Sequence, residues 1–117
     1  MGQINIKRIY APAEASDGKR VLVDRLWPRG VSKDAAKLDL WLKDIAPSTE
    51  LRQWFHAGEA ADRWEQFKLK YLAELKQNAA VEVLRDVIDK NETVTLLYSV
   101  HDVVHNHAQL LKEFLEG

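Results

Sequence analysis

The sequence predicts a single α/β domain, a small, mostly parallel sheet of about three strands packed with about five helices. Three observations predict it. The continuous apolar stretch Val21-Leu22-Val23 and the β-branched run over residues 93–99 have the length and composition of buried strands. A long region of helical periodicity separates them, and an amphipathic segment follows the second. Strand, helical region, strand, helix is the order that right-handed crossovers fold into a layered parallel sheet.

The elements follow in order. Residues 4–10, INIKRIY, alternate at Ile4, Ile6 and Tyr10 and predict a first strand with one face partly wet, ended by Pro12. After the turn residues Asp17 and Gly18, RVLVDRLWP gives the second strand, closed by Pro28 and Gly30. About nine residues join the two. A parallel link usually needs roughly a dozen or more, so a hairpin and a parallel pair both stay open.

Ser32 is a candidate N-cap for a helix carrying Leu38, Trp41, Leu42 and Ile45 and stopped by Pro47; Ser48 caps a short helix with Leu51, Trp54 and Phe55. The clearest helix spans about residues 60–77, with Trp64, Phe67, Tyr71, Leu72 and Leu75 on one stripe. Ala80, Val83, Leu84, Val87 and Ile88 mark another, ended at Asn91. The last helix is predicted from about residue 103, through Val104, Ala108, Leu111, Phe114 and Leu115, with Asp102 as its cap.

Bulk properties narrow the function. With 117 residues and 46% apolar content the chain can bury one core but not two. Seventeen basic against eighteen acidic residues leave no cationic excess for holding a polyanion, so general nucleic-acid binding is not expected. The absence of cysteine excludes thiol catalysis, disulfides and thiolate metal sites. No apolar run approaches the roughly 20 residues that span a bilayer, and the N-terminus lacks a secretory core, which predicts a cytoplasmic protein without membrane attachment. Glycine-rich phosphate loops are missing, so no nucleotide cofactor is expected. A homodimer is compatible with the sequence.

Ligands of open α/β sheets collect beyond the carboxyl ends of the strands, and that rule selects two segments. The first, residues 24–30, carries Asp24, Arg25, Trp27 and Arg29: guanidinium forks for a carboxylate or phosphate, and a flat aromatic face to cover it. The second, residues 99–107, carries Ser99, His101, Asp102, His105, Asn106 and His107. Asp102 as cap would accept the N–H groups of Val104 or His105, and its charge weighs against an anion at the helix start. His105 is the best candidate for acid–base work, because imidazole changes charge near neutrality.

His101, His105 and His107 invite a metal, yet on a helix starting near residue 103 the latter two point roughly 200° apart, so no metal site is predicted. Of the four tryptophans, three fall on helical apolar faces and are assigned to packing.

The stretches VLVDRLWPRGVSK, WLKDIAPSTELRQWF and TLLYSVHDVVHNHAQLLKEFL together resemble the short, YeaO-like branch of domain-of-unknown-function family 488, found mainly in bacteria and archaea. The resemblance covers nearly the whole chain and implies no agreed activity. Longer members have a strand ending Asp-Val-Arg and a Cys-His-Arg triplet opening the last helix; the matching positions here are Asp24-Arg25 and Asn106-His107-Ala108. The thiol and the second arginine are absent, and His107 is retained for a structural or proton-transfer role. His101 stands where the short branch leads one to expect Lys or Arg.

Two functional expectations result. In the first, a small anionic ligand binds at the carboxyl edge of the sheet, clamped by Arg25 and Arg29, covered by Trp27 and facing His105 or Asn106, with or without chemistry. In the second, the same residues form a buried ion-pair and cap network in a non-catalytic structural or interaction module.

Overall fold

The computed structural model describes residues 2–117. Four parallel strands form one sheet in the order β1-β4-β2-β3, with β1 at Gln3–Arg8, β2 at Lys19–Leu22, β3 at Leu40–Trp41 and β4 at Thr93–Tyr98. The helices are α1 (Lys33–Ala36), α2 (Thr49–His56), α3 (Ala60–Lys76), α4 (Ala80–Asp89) and α5 (His107–Glu116). The last strand in sequence is inserted between the first two, and Leu96 pairs with Ile6 on one side and Val21 on the other. Hence β1 and β2 are parallel without being neighbours. The question of a hairpin dissolves, because their connection steps over β4.

Gly18 ends that connection with φ of +64°, its Cα against the Thr93 carbonyl, so any side chain there would be both strained and in collision.

Alternation along β4 divides the core. Val94, Leu96 and Tyr98 join Val21 and Val23 on the face covered by α2, α3, α4 and α5, while Leu97 joins Leu22, Ile9 and Ala36 on the other. Val21, Leu22 and Val23 are fully buried, as a strand covered on both faces requires. Each such side chain contributes about 1.5–3 kcal/mol by leaving water. The second face is half ionic: Asp17 bonds Arg20 at 2.6 Å and Lys7 at 2.7 Å, and its backbone carbonyl accepts from the Thr95 hydroxyl.

Two predicted boundaries are corrected. The helix expected from Ser32 to Ile45 is four residues long; Ser32 does cap it, accepting from the Ala35 N–H, but Lys37 turns left-handed (φ 48°) and Leu40–Trp41 become an edge strand beside β2. The Asp39 carboxylate, accepting from the Arg20 N–H, anchors this turn. The last helix begins at His107, capped by Asn106, whose side chain accepts from the Gln109 N–H. Asp102 accepts from Val104 and His105 as foreseen, yet what it caps is an isolated turn. Val103 and Val104 consequently stay in solvent, each more than 60% exposed.

Candidate functional site: a cationic cleft at the carboxyl edge of the sheet

Because the strands are parallel, the segments leaving β1, β2 and β4 emerge at one edge, and they enclose a cleft of about 510 Å³ with α2 as a further wall. Its titratable lining is lopsided. Arg8, Arg25, Arg29 and Arg52 face one carboxylate, Asp24, and all four histidines of the chain, His56, His101, His105 and His107, line the same space. A chain with a net charge of -1 thus concentrates at least three net positive charges in one concavity.

Of the ten residues named in the two segments, nine line this cleft: Asp24, Arg25, Trp27, Arg29, Ser99, His101, His105, Asn106 and His107. Asp102 stands outside the lining. Its Oδ2 lies 2.9 Å from His105 Nδ1, an arrangement that puts the proton on Nδ1 and leaves Nε2 as the free ring nitrogen. The N–H groups of His105 and Val104 hold the Asp102 carboxyl below its ordinary range, outweighing a slight effect of burial.

Asp24 ties the site to the sheet. Its Oδ2 accepts both the N–H and the hydroxyl of Ser99, at 2.9 and 2.6 Å, and its carbonyl accepts from the Trp41 indole. Trp41 in turn packs edge-on to Trp27. The other carboxylate oxygen, Oδ1, is buried without a hydrogen bond, 3.3 Å from His107 Nε2. No arginine pairs with Asp24 among the described residues; Ser99 and His107 take that role, which departs from the ion pair expected at this strand end.

His107, the first residue of α5, places Nε2 2.8 Å from the Val23 carbonyl. A carbonyl only accepts, so Nε2 carries the proton. Burial lowers the imidazole pKa, and the opposing pull of Asp24 and of the Val23 carbonyl does not restore it, so His107 is neutral at pH 7. Its Nδ1 has no hydrogen-bond partner among the described residues, and Asp24 Oδ1 is the one buried side-chain atom among them left without a partner. With the proton on Nε2, Nδ1 is an unprotonated acceptor.

The arginines are held differently. Arg8 donates through Nε and Nη2 to the Val100 and Ser99 carbonyls and lies 5.0 Å over the Tyr10 ring. Arg25 makes long contacts, 3.4 and 3.3 Å, to the Pro47 and Ala46 carbonyls. For Arg29 the backbone is fixed by a bond from the Tyr10 hydroxyl to its carbonyl. Among the described residues, the guanidiniums of Arg29 and Arg52 have no carboxylate partner, so both are available to a ligand.

Arg8, Tyr10, Arg52 and His56 escape a reading of the sequence. Arg52 and His56 are one helical turn apart on α2, whose Leu51 and Phe55 fill the core, and they look like any solvated helix face until the tertiary fold turns them to the cleft. Desolvation, with the charge of Arg52, lowers the His56 pKa. A group of three or more potential metal ligands is not found among the described residues, and no helix of the described chain is long and apolar enough to cross a membrane.

Fold and site define a small parallel α/β domain with a cationic, histidine-rich cleft at the carboxyl edge. The chain belongs to the family described as the inactive DUF488-N3 subclade, whose model matches residues 3–117. It is 50% identical to the uncharacterized protein YeaO of Escherichia coli over 114 residues, covering 97% of each chain. An uncharacterized protein of Mycobacterium tuberculosis is 37% identical over 115 residues, covering 98% of this chain and 95% of its own. No solved structure matches. Family and branch are those that the sequence motifs indicate.

Proposed function

We propose that this protein binds a small anionic molecule, bearing phosphate or carboxylate, in the cleft at the carboxyl edge of its sheet, in a cytoplasmic setting, and does not turn it over. The observation that carries the reading is the convergence of four guanidiniums and four imidazoles on one concavity that contains a single carboxylate. Three of those guanidiniums, of Arg8, Arg29 and Arg52, lack a carboxylate partner among the described residues, and Arg25 meets only the exposed Asp44 at 4.0 Å. Planar forks of this kind recognise planar and tetrahedral anions in two-pronged fashion.

Absence of turnover is supported by the chemistry of the wall. The chain has no thiol, and the cleft hydroxyl of Ser99 spends its proton on Asp24. His105 is oriented by Asp102 like a general base, but no nucleophile is hydrogen-bonded to it among the described residues. The word "inactive" in the family description points the same way.

A thermal-shift screen with inorganic phosphate, sulfate, nucleotides and small carboxylates tests the proposal. At least one anion should raise the melting temperature in a concentration-dependent manner, and Arg52→Ala should reduce that rise. No stabilisation by any of them would refute it.

A further inference from the structure

Four of the six large apolar side chains that stay exposed among the described residues belong to the cleft or its rim. Leu26, 58% exposed, and Tyr10, 47% exposed, are part of the lining, and Val103 and Val104 occupy the turn between the lining residues His101 and His105. The other two, Leu69 and Val83, belong to α3 and α4. Exposed apolar side chains scattered singly are ordinary, whereas a group of them around a concavity marks a binding surface. Phe55 and Phe67, both buried with ring centroids 4.4 Å apart, and the half-buried Trp27 add three aromatic rings to the same lining.

An anionic group alone leaves this wall without a purpose. A cleft of about 510 Å³ is of the size that holds a drug-sized molecule, roughly 300–1,000 Å³, and a phosphate or small carboxylate fills only a minor part of it. The rest of the guest meets apolar and aromatic side chains. Cations alternate with that wall along the chain: Arg25 and Arg29 bracket Leu26, Trp27 and Pro28, and Arg52 precedes Phe55 on α2. An aliphatic body beside a guanidinium only strips it of water, whereas an aromatic ring offers a negative face that attracts it. The lining already makes this contact within itself, with the Arg8 guanidinium 5.0 Å over the Tyr10 ring.

We infer that the ligand is an aromatic anion, a phosphate or carboxylate group carried on an aromatic ring, with the ring against the wall that Leu26 and Trp27 contribute and the charged group on the guanidiniums. This deepens the anion-binding reading of the same cleft and rests on it.

Calorimetric titration of the full chain with inorganic phosphate, phenyl phosphate and cyclohexyl phosphate tests the inference, the two esters sharing one head and a ring of the same carbon count. Phenyl phosphate should bind about 10-fold more tightly than inorganic phosphate, from the apolar area it buries, and more tightly than the more hydrophobic cyclohexyl ester. Leu26→Ala, at an exposed side chain outside the core, should weaken phenyl phosphate about threefold and leave inorganic phosphate unchanged. Equal affinity for phosphate and phenyl phosphate, cyclohexyl phosphate binding as well as the phenyl ester, or phenyl phosphate binding indifferent to Leu26 would overturn the aromatic-anion inference and leave the anion site standing. Binding of none of the three would overturn both. Circular dichroism of the variant establishes that it is folded.

Discussion

Ser99 gives both its backbone N–H and its hydroxyl to one carboxylate oxygen of Asp24, at 2.9 and 2.6 Å, and so clamps the ends of β4 and β2 together at the floor of the cleft. Each segment contributes residues to the lining, so the relative position of Arg25, Arg29, His105 and His107 depends on this joint.

Removing the clamp should loosen the domain in proportion to the bonds lost. Ser99→Ala deletes one hydrogen bond and should cost about 1 kcal/mol, whereas Asp24→Ala leaves the Ser99 N–H without its acceptor and should cost about 2–3 kcal/mol. Urea denaturation of the two variants measures the difference. Because Asp24 is also the one repulsive charge in the lining, Asp24→Asn should bind phosphate more tightly than the natural protein.

The Asp17–Arg20–Lys7 cluster predicts acid sensitivity. Burial alone would raise the Asp17 pKa, but hydrogen bonds from Lys7, the Glu14 N–H and Arg20 outweigh it and hold the carboxyl below its ordinary value. A depressed carboxylate stabilises the fold above the unfolded pKa, near 3.9, and that contribution is lost as pH falls through the folded value. Asp17→Ala should remove the acid transition's dependence on this group and also destabilise at pH 7, by about 3–5 kcal/mol, since Arg20 would be buried unpaired. Equilibrium unfolding from pH 2 to 7 checks both effects.

His107 acts in a different window. Its pKa is lowered by burial, so the unfolded chain takes up a proton near pH 6.5 before the native state does, and stability falls as pH drops below that value. His56, also lowered, contributes in the same direction. His107→Gln should flatten the slope of stability against pH just below 6.5. Nitrogen-15 chemical shifts of the His107 ring should show a proton on Nε2 and none on Nδ1 at pH 7; the reverse tautomer would contradict the bond to the Val23 carbonyl.

The strands β2 and β4 were legible because continuous β-branched and apolar runs have few other uses, and α3 and α4 because their apolar stripes repeat over several turns. What hid β3 is that Leu38, Trp41, Leu42 and Ile45 fit a helical spacing, and a two-residue edge strand has too little pattern to compete. Asp102 and Asn106 are both good caps four residues apart, and only packing decides between them: Ala108 is fully buried, whereas Val104 is in solvent. At the site, the rim formed by the β2 and β4 segments followed from the rule for parallel sheets. Arg8 and Arg52 did not, since nothing in their local sequence distinguishes a guanidinium that lines a cleft from one that lines only water.

The most direct test of the anion cleft is calorimetric titration of the natural protein and of Arg52→Ala with inorganic phosphate at low and high salt. Saturable one-to-one binding is expected, weakened by salt and reduced roughly tenfold by the substitution, the size of one charge-assisted hydrogen bond. Heats that are flat at low salt, or binding that is indifferent to both salt and Arg52, would contradict the account.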